Sequence, residues 1–413
     1  MKALVVAGGV PQIYLIEELT RRNIETVLID GNENAVAKKY ANHFYKVNIF
    51  DIDKVVNIAK QEKVDFIITV CADQVLLVVA EVSERLGLPW YIDYETAKNV
   101  SDKQLMKRLF IENDIPTTRY VFLKELDLDK ISNLRFPLIV KPVDAYSSRG
   151  VRKVHNIDEV KKAFDDALDY SRDKGVIIEE FFKGEELSVD LFVTNGVANT
   201  LCISRSEKIK DSGKFVIFRG YYSYIKEDTF IKKVTEIANK IARAFKLHNS
   251  PMLIQMLYNG KEFNVLEFCA RTGGCMKWLM IEEASNVNVI DKVVDLCLGI
   301  PVELNIEMSK EHIVNNFIYC KKGVFDHVAG IDSLLKAGVI NHYRCLRPQG
   351  TIYSGVINSS SDRVAGVMIK ASTMESLNDK QVLFNNNTMI IDSNGVDIMR
   401  HDLFPAINKY DIK

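Results

Sequence analysis

The stretch "FNVLEFCARTGGCMKW", Phe263–Trp278, sets an acid and a base at the end of an apolar run. Its first residues read as a strand. Glu267 lies at the close of that run, Arg271 follows, and Gly273–Gly274 stand where the chain must turn. Just upstream, "PMLIQMLY" (251–258) reads as a second strand, and Asn259–Gly260 predicts a hairpin between the two. Twelve residues separate Gln255 from Glu267, so on adjacent strands both side chains can face one spot.

Upstream, "GVIIEEFFKGEELSVDLFV" (175–193) reads as a strand, a short acidic break and another strand. Its two central aromatics argue against a fully exposed acidic turn. "FPLIVKPVDAYSSRGVRKV" (136–154) is an apolar strand ending in Lys141–Pro142, a loop of small residues, and a second strand. Small residues let backbone N–H groups come close to an anion, and Lys141 adds a point charge. In "SDKQLMKRLFIENDIPTTRY", Ser101 with Gln104 predicts a capping box, and Lys103 and Lys107 share one helical face. An amphipathic helix is expected over 227–246, and "DRVAGVMIKA" reads as a strand in the tail.

The first hundred residues alternate short apolar strands ("ALVVA", "TVLID", "DFIIT") with helical patterns, which implies a parallel sheet with right-handed crossovers. "AGGVPQ" (7–12), with Asp30 ending the next strand, suggests a dinucleotide turn, but the third glycine is missing, and a tight strand-to-helix turn explains the pair. "VCADQ" (70–74) closes a strand at its carboxyl end, where open α/β sheets bind ligands; Asp73 there is read as a helix cap or as a substrate contact.

Composition narrows the class. With 413 residues, two or three packed units are expected. Lys plus Arg is 54 against 55 Asp plus Glu, so no bulk field points to nucleic acid. No run of about 18 apolar residues predicts a membrane span. The opening "MKALVVAGG" is read as a strand rather than a leader, because its apolar part is too short. Seven scattered cysteines without C-x-x-C, and seven histidines without zinc spacing, are expected to be buried thiols and ordinary side chains of a cytoplasmic protein.

In chain order, these segments are a βαβ unit, "DKxxxK" with "NDIPTT", a strand ending "VKP", a Ser/Gly loop, "EEFFKGEE", and paired strands ending "LEFCAR". In that order they resemble the ATP-grasp superfamily, most closely its carbamoyl-phosphate-synthetase-like and amino-acid-ligase-like carboxylate–amine ligases. The resemblance implies an α/β fold, α+β in places. An N-terminal Rossmann-like unit would span 1–100 and an ATP-grasp unit 101–300, with a lid at about 117–185. A mixed α+β subdomain would cover 301–413. It implies ATP and Mg²⁺, with Mn²⁺ as an alternative ion, and small-molecule carboxylate and amine substrates. It implies neither nucleic acid nor membrane as partner, and a homodimer.

Residue by residue, the resemblance puts Lys103 and Lys141 on the α- and β-phosphates. Ser147, Ser148 and Gly150 would cap the β- and γ-phosphates. Glu179 would accept from the adenine amine, the backbones of Glu180 and Phe182 would pair with the ring edge, and Phe181 and Phe182 would wall it. Glu186 would bind the ribose hydroxyls and Lys208 the γ-phosphate. Gln255 and Glu267 would hold Mg²⁺. Cys269 replaces the usual asparagine two residues on, and a thiol is a poor Mg²⁺ ligand. Arg271 would stabilise the acyl phosphate. Gly273, Gly274 and Asp73 would meet the substrate, and Lys277 and Arg205 are further candidates for the γ-phosphate contact given to Lys208. Arg344, Arg347 and Arg363 hint at an anionic substrate. Three functions remain open here: a carboxylate–amine (or carboxylate–thiol) ligase, a bicarbonate-activating enzyme, and a nucleotide-binding protein with little chemistry.

Overall fold

A computed structural model describes residues 1–144, 149–210, 215–224 and 227–407. Ser147 and Ser148 lie outside them. The first sheet is parallel, in the order His43–Lys46, Glu25–Asp30, Lys2–Val6, Phe66–Ile68. Its central strand is buried on both faces: Ala3 and Val5 enter one apolar core, Leu4 and Val6 the other. That explains the continuous apolar run rather than an alternating one. Strand order reverses between Lys2–Val6 and Phe66–Ile68, so a crevice opens at their carboxyl ends, beside Cys71 and Asp73.

The "AGG" turn is structural. Asp30 accepts from Gly8 N–H at 2.6 Å and from Asn32 N–H at 2.6 Å. A Cβ at Gly8 would lie 2.6 Å from Ala35 Cβ. The carboxylate that a dinucleotide reading would give to ribose is spent on holding its own loop.

The central sheet has eight antiparallel strands. Their order is Phe263–Cys269, Ser250–Tyr258, Glu185–Thr194, Val197–Lys208, Ile217–Tyr222, His312–Ile318, Ala365–Ala371 and His342–Cys345. Alternation sorts its faces. Leu187, Val189 and Leu191 pack in one core with Phe230, Val234 and Ile241 of the helix Asp228–Ala244. Glu186, Ser188 and Asp190 therefore point the other way. The tail is continuous with this sheet, because His312–Ile318 pairs with Ile217–Tyr222.

A separate four-stranded antiparallel sheet joins Tyr120–Leu123, Val176–Glu180, Leu138–Pro142 and Arg152–Val154, with the helix Ile157–Tyr170 packed on it. It falls within the stretch expected as a lid, residues 117–185. A small sheet, Ile352–Tyr353, Gly323–Ala329 and Met389–Asp392, completes the tail. Among the described residues no helix is long and apolar enough to cross a membrane.

Two local expectations are corrected. Asp102, not Ser101, caps the helix Lys103–Glu112, accepting from Gln104 and Leu105 N–H. Ser101 instead ends the preceding helix and donates to Ala97 O. Asp73 does not cap its helix either: it is the first residue of Asp73–Leu86, after Ala72. Asp30→Ala is expected to lower stability by roughly 1.5–3 kcal/mol, the range for hydrogen bonds to a charged acceptor, and urea denaturation of the purified chain measures it.

Candidate active site

The hairpin pairing sets the floor of the site. Gln255 stands directly opposite Glu267, and a bulge follows at once, between Gln255 and Met256. Four residues connect the strands, with Gly260 at φ +94° and Asn259 accepting from Lys261 and Glu262 N–H. Bulges of this kind re-aim side chains next to functional sites.

A cavity of about 360 Å³ lies between this hairpin and the lid sheet. It is lined by Lys103, Lys141, Glu179–Phe182, Glu186, Lys208, Gln255 and Glu267, with Ile139, Leu257 and Leu266 as apolar wall. The cations are met by acids. Lys103 Nζ is 3.2 Å from Glu267, and Lys208 Nζ is 2.5 Å from Glu186. Gln255 Nε2 donates to Glu186 at 3.4 Å. Gly150 sits at φ +70° over Pro142 and Tyr170, where a Cβ would lie 2.9 Å from the Tyr170 ring.

Glu179 is enclosed by cations. It is 3% exposed, and its carboxylate lies 2.7 Å from Lys107 Nζ and 2.5 Å from Lys141 Nζ, with Thr118 donating at 3.1 Å. It is the counter-ion of two lysines, and it still lines the cavity. Burial pushes its carboxyl up, but Lys107 and then Lys141 outweigh this and hold it at about 2. Lys107, itself 2% exposed, is pushed down to about 8 by burial against the pull of Glu179. Glu180 turns its side chain outward to Arg119 and Arg135 and donates its N–H to Arg119 O.

Arg271 is likewise engaged within the protein. Its Nε and Nη2 edge is taken bidentately by Asp73, at 2.6 Å each, and Nη1 donates to Thr272 O at 2.8 Å. One edge of the fork ties the central sheet to the first sheet, and Arg271 still lines the second chamber. Burial resists ionisation of Asp73, but Arg271 wins and keeps its carboxyl low. The Cys269 thiol hydrogen-bonds Asp73 and is pushed well up by burial, so it stays a neutral thiol.

A second chamber of about 480 Å³ shares Gln255 and Glu267 with the first. Arg271, Gly273, Gly274, Lys277, Ser188, Ser204 and Ser206 line it. Lys277 Nζ lies 3.1 Å from Asp190 and donates to Ser204 Oγ. Neither glycine has a positive φ. A Cβ on Gly273 would lie 2.7 Å from Lys277 Cγ and 3.0 Å from Asp190, whereas one on Gly274 meets nothing nearer than 3.9 Å. Left-handed backbone comes just after them, at Cys275 (φ +55°) and Met276 (φ +61°), where non-glycine residues are strained.

The structure thus gathers Lys103, Lys141, Glu179–Phe182, Glu186, Lys208, Gln255 and Glu267 around one cavity, and Arg271, Gly273, Gly274 and Asp73 around its neighbour. Arg205 pairs with Glu185 instead, at 3.1 Å. Sequence reasoning missed Asp190, the three serines and the counter-ion role of Lys107. Alternation in "EELSVDLF" could have found Asp190 and Ser188, because it puts Glu186, Ser188 and Asp190 on one face.

Residues 134–278 match the model of the ATP-grasp domain. Curated relatives include a formate-dependent phosphoribosylglycinamide formyltransferase of Ignicoccus hospitalis, 25% identical, the match covering 58% of this chain and 61% of the relative. A D-alanine–D-alanine ligase of Clostridium perfringens is 27% identical over 55% of this chain and 77% of its own. The chain spans about half the length of the formyltransferases it matches. The L-amino acid ligase structure from Bacillus licheniformis superposes with TM-score 0.81 at 17% identity, over 95% of this chain and 99% of that one. Phosphoribosylglycinamide synthetase from Anaerococcus prevotii gives 0.75 at 19%, with the same coverage. At such identities the likeness to these structures is one of fold.

Two outcomes check the site. Glu179→Gln leaves the buried Lys107 and the partly buried Lys141 without their counter-ion and is expected to cost roughly 3–5 kcal/mol in denaturant melts. Because the folded carboxyl titrates near 2 and the ordinary one near 4.5, the native protein loses this stabilisation as pH falls through that window, and the variant lacks that acid limb. Gly273→Ala is expected to lower stability by about 1–3 kcal/mol through overpacking, while Gly274→Ala stays within about 0.5 kcal/mol; thermal melts of the pair distinguish them. From this domain match and this shared fold, the chain carries an ATP-grasp domain.

Proposed function

We propose that the protein is an ATP-dependent carboxylate–amine ligase working through an acyl phosphate. One observation supports the reading: the cavity that gathers Lys103, Lys141 and Glu267 shares Gln255 and Glu267 with a second chamber. A nucleotide and a small substrate can therefore meet at one carboxylate.

The adenine ring would lie against Phe181, Phe182, Ile139, Leu257 and Leu266. Glu180 and Phe181 commit their N–H groups to Arg119 O and Pro137 O, which leaves the Glu180 carbonyl and the Phe182 N–H for the ring edge. Glu186 would accept from the ribose hydroxyls. Lys103 and Lys141 would offset repulsion within the polyphosphate, and Lys208 would meet its far end.

The donor set suits a hard cation with few protein ligands. Gln255 and Glu267 offer oxygens opposite each other, and Cys269 is a neutral thiol occupied with Asp73. No group of three His, Cys, Asp or Glu side chains able to hold a metal occurs among the described residues, so phosphate and water would complete the shell. Bound there, Mg²⁺ would neutralise phosphate charge. Gln255 and Glu267 would hold it.

A substrate carboxylate oxygen would attack the γ-phosphorus, breaking the bond to the β-phosphate oxygen and releasing ADP. An amine would then attack the acyl carbon and expel phosphate, giving up a proton. No side chain need act as nucleophile; positioning and fixed charge carry the catalysis. Arg271, fixed by Asp73, would present its remaining N–H groups and its charge to the transferring phosphoryl group. The substrates are small molecules, the site is expected to work in the cytoplasm, and neither nucleic acid nor membrane takes part.

An ADP-release screen of carboxylic acids crossed with amines tests this. Turnover is expected to need both substrates. Glu267→Ala and Arg271→Ala are each expected to lower kcat by at least about 10²–10³. ADP formation stimulated by bicarbonate alone would replace this reading with the bicarbonate-activating one, and either variant keeping native turnover would remove its assigned role.

A further inference from the structure

Two asparagines stand side by side on the strand His312–Ile318, and both are buried. Asn316 is satisfied: its Oδ1 accepts from Arg219 Nε at 3.0 Å, and its Nδ2 donates to Gln381 Oε1 at 2.9 Å. Asn315 faces the other side of the sheet, 1% exposed, and lines the second chamber. Its Nδ2 donates to Cys275 O at 2.9 Å. A backbone carbonyl can only accept, so this bond fixes which end of the amide is nitrogen. The other end, Oδ1, has no partner. Among the described residues lining the chamber, no other carries a buried side-chain nitrogen or oxygen without one. Buried polar atoms are paired as a rule, and one left open on a cavity wall points to a ligand that closes it.

The space beside that oxygen is open. In the sheet Gly220 stands directly between Asn315 and Ser206, and all three line the chamber. A Cβ added at Gly220 would meet only Met280 Cε, at 4.0 Å. Residues directly opposite on adjacent strands have Cβ positions about 5 Å apart. A group seated over Gly220 therefore has Asn315 on one flank and Ser206 on the other.

Charge selects that group. An amide oxygen accepts and never donates, so it calls for an N–H or an O–H. An ammonium would meet Arg271, Lys277 and Arg363 on the same walls. The carboxylates beside the first two, Asp73 and Asp190, are already paired. An uncharged donor meets no such repulsion. Resting on the ligase reading above, we propose that the space over Gly220 seats an uncharged hydrogen-bond donor, a hydroxyl or a carboxamide, at the far end of one substrate, and that Asn315 selects it. Gly220 lies three strands along the sheet from Gln255, a span on the order of 14 Å. The donor is thus several bonds from the carboxylate that is phosphorylated.

Calorimetric titration of the full chain tests this, with a non-hydrolysable ATP analogue and Mg²⁺ filling the first cavity. The probes are straight-chain acids, hexanoate to octanoate in length, that end in a hydroxyl, a carboxamide, a methyl or an ammonium group. The hydroxyl or the carboxamide series is expected to bind about tenfold or more tighter than the methyl and ammonium series. Whichever of those two binds better names the donor. Asn315→Leu keeps the size and removes the acceptor, and is expected to bring all four series within about twofold of one another. Should Asn315→Leu fail to fold, Gly220→Val fills the seat without touching the amide and is expected to level them in the same way. Equal binding by all four series in the native chain, preference for the ammonium end, no binding by any probe, or a donor preference that survives in the folded variants overturns the proposal. A donor preference in a chain that fails to bind the ATP analogue would defeat the ligase reading and leave the seat standing.

Discussion

Glu267 is the residue on which the rest of the site depends. It lines the nucleotide-sized cavity, the second chamber, and a third cleft beside Asp73 and Gln104. Its partner across the hairpin is Gln255, and its cation is Lys103, brought from a helix that belongs to neither strand. A one-residue slip of the hairpin would turn both oxygens toward the apolar core. The pairing register is thus the constraint that makes a single acid common to three spaces.

Ion pairs, buried or partly buried, then hold the parts in place. Lys107–Glu179–Lys141 joins the helix Lys103–Glu112 to the central strands of the lid sheet. Arg271–Asp73 joins the central sheet to the crevice of the parallel one. Lys277–Asp190 fixes the start of the helix Lys277–Ser285 over the second chamber. Breaking the most buried of them, Lys107–Glu179, is costly because the remaining charge stays buried. They fit a site whose catalysis rests on positioning rather than on a nucleophile.

The fold was legible because its cues are local. Periodicity found the parallel unit, the hairpin, the lid strands and the long helix, and the order of short motifs assembled them. Most site residues were legible as members of those motifs. What escaped depended on who sits opposite whom. Nothing in "EEFF" says that Glu179 is enclosed by two lysines, one from a segment 72 positions earlier. Arg271 reads as a free fork until Asp73 is placed beside it. Ser101 and Asp102 are equally good caps by type, and only backbone conformation chooses between them. Gly273 and Gly274 look alike in sequence, yet only the first has no room for a Cβ.

The most direct test of the account is a crystal structure grown with MgADP or a Mg²⁺–ATP analogue. The account predicts nucleotide density in the cavity between Lys141 and Glu267, with the ring against Phe181 and Phe182 and the phosphates over Lys103. Nucleotide bound elsewhere on the molecule, or a cavity left without it at saturating concentration, would contradict it.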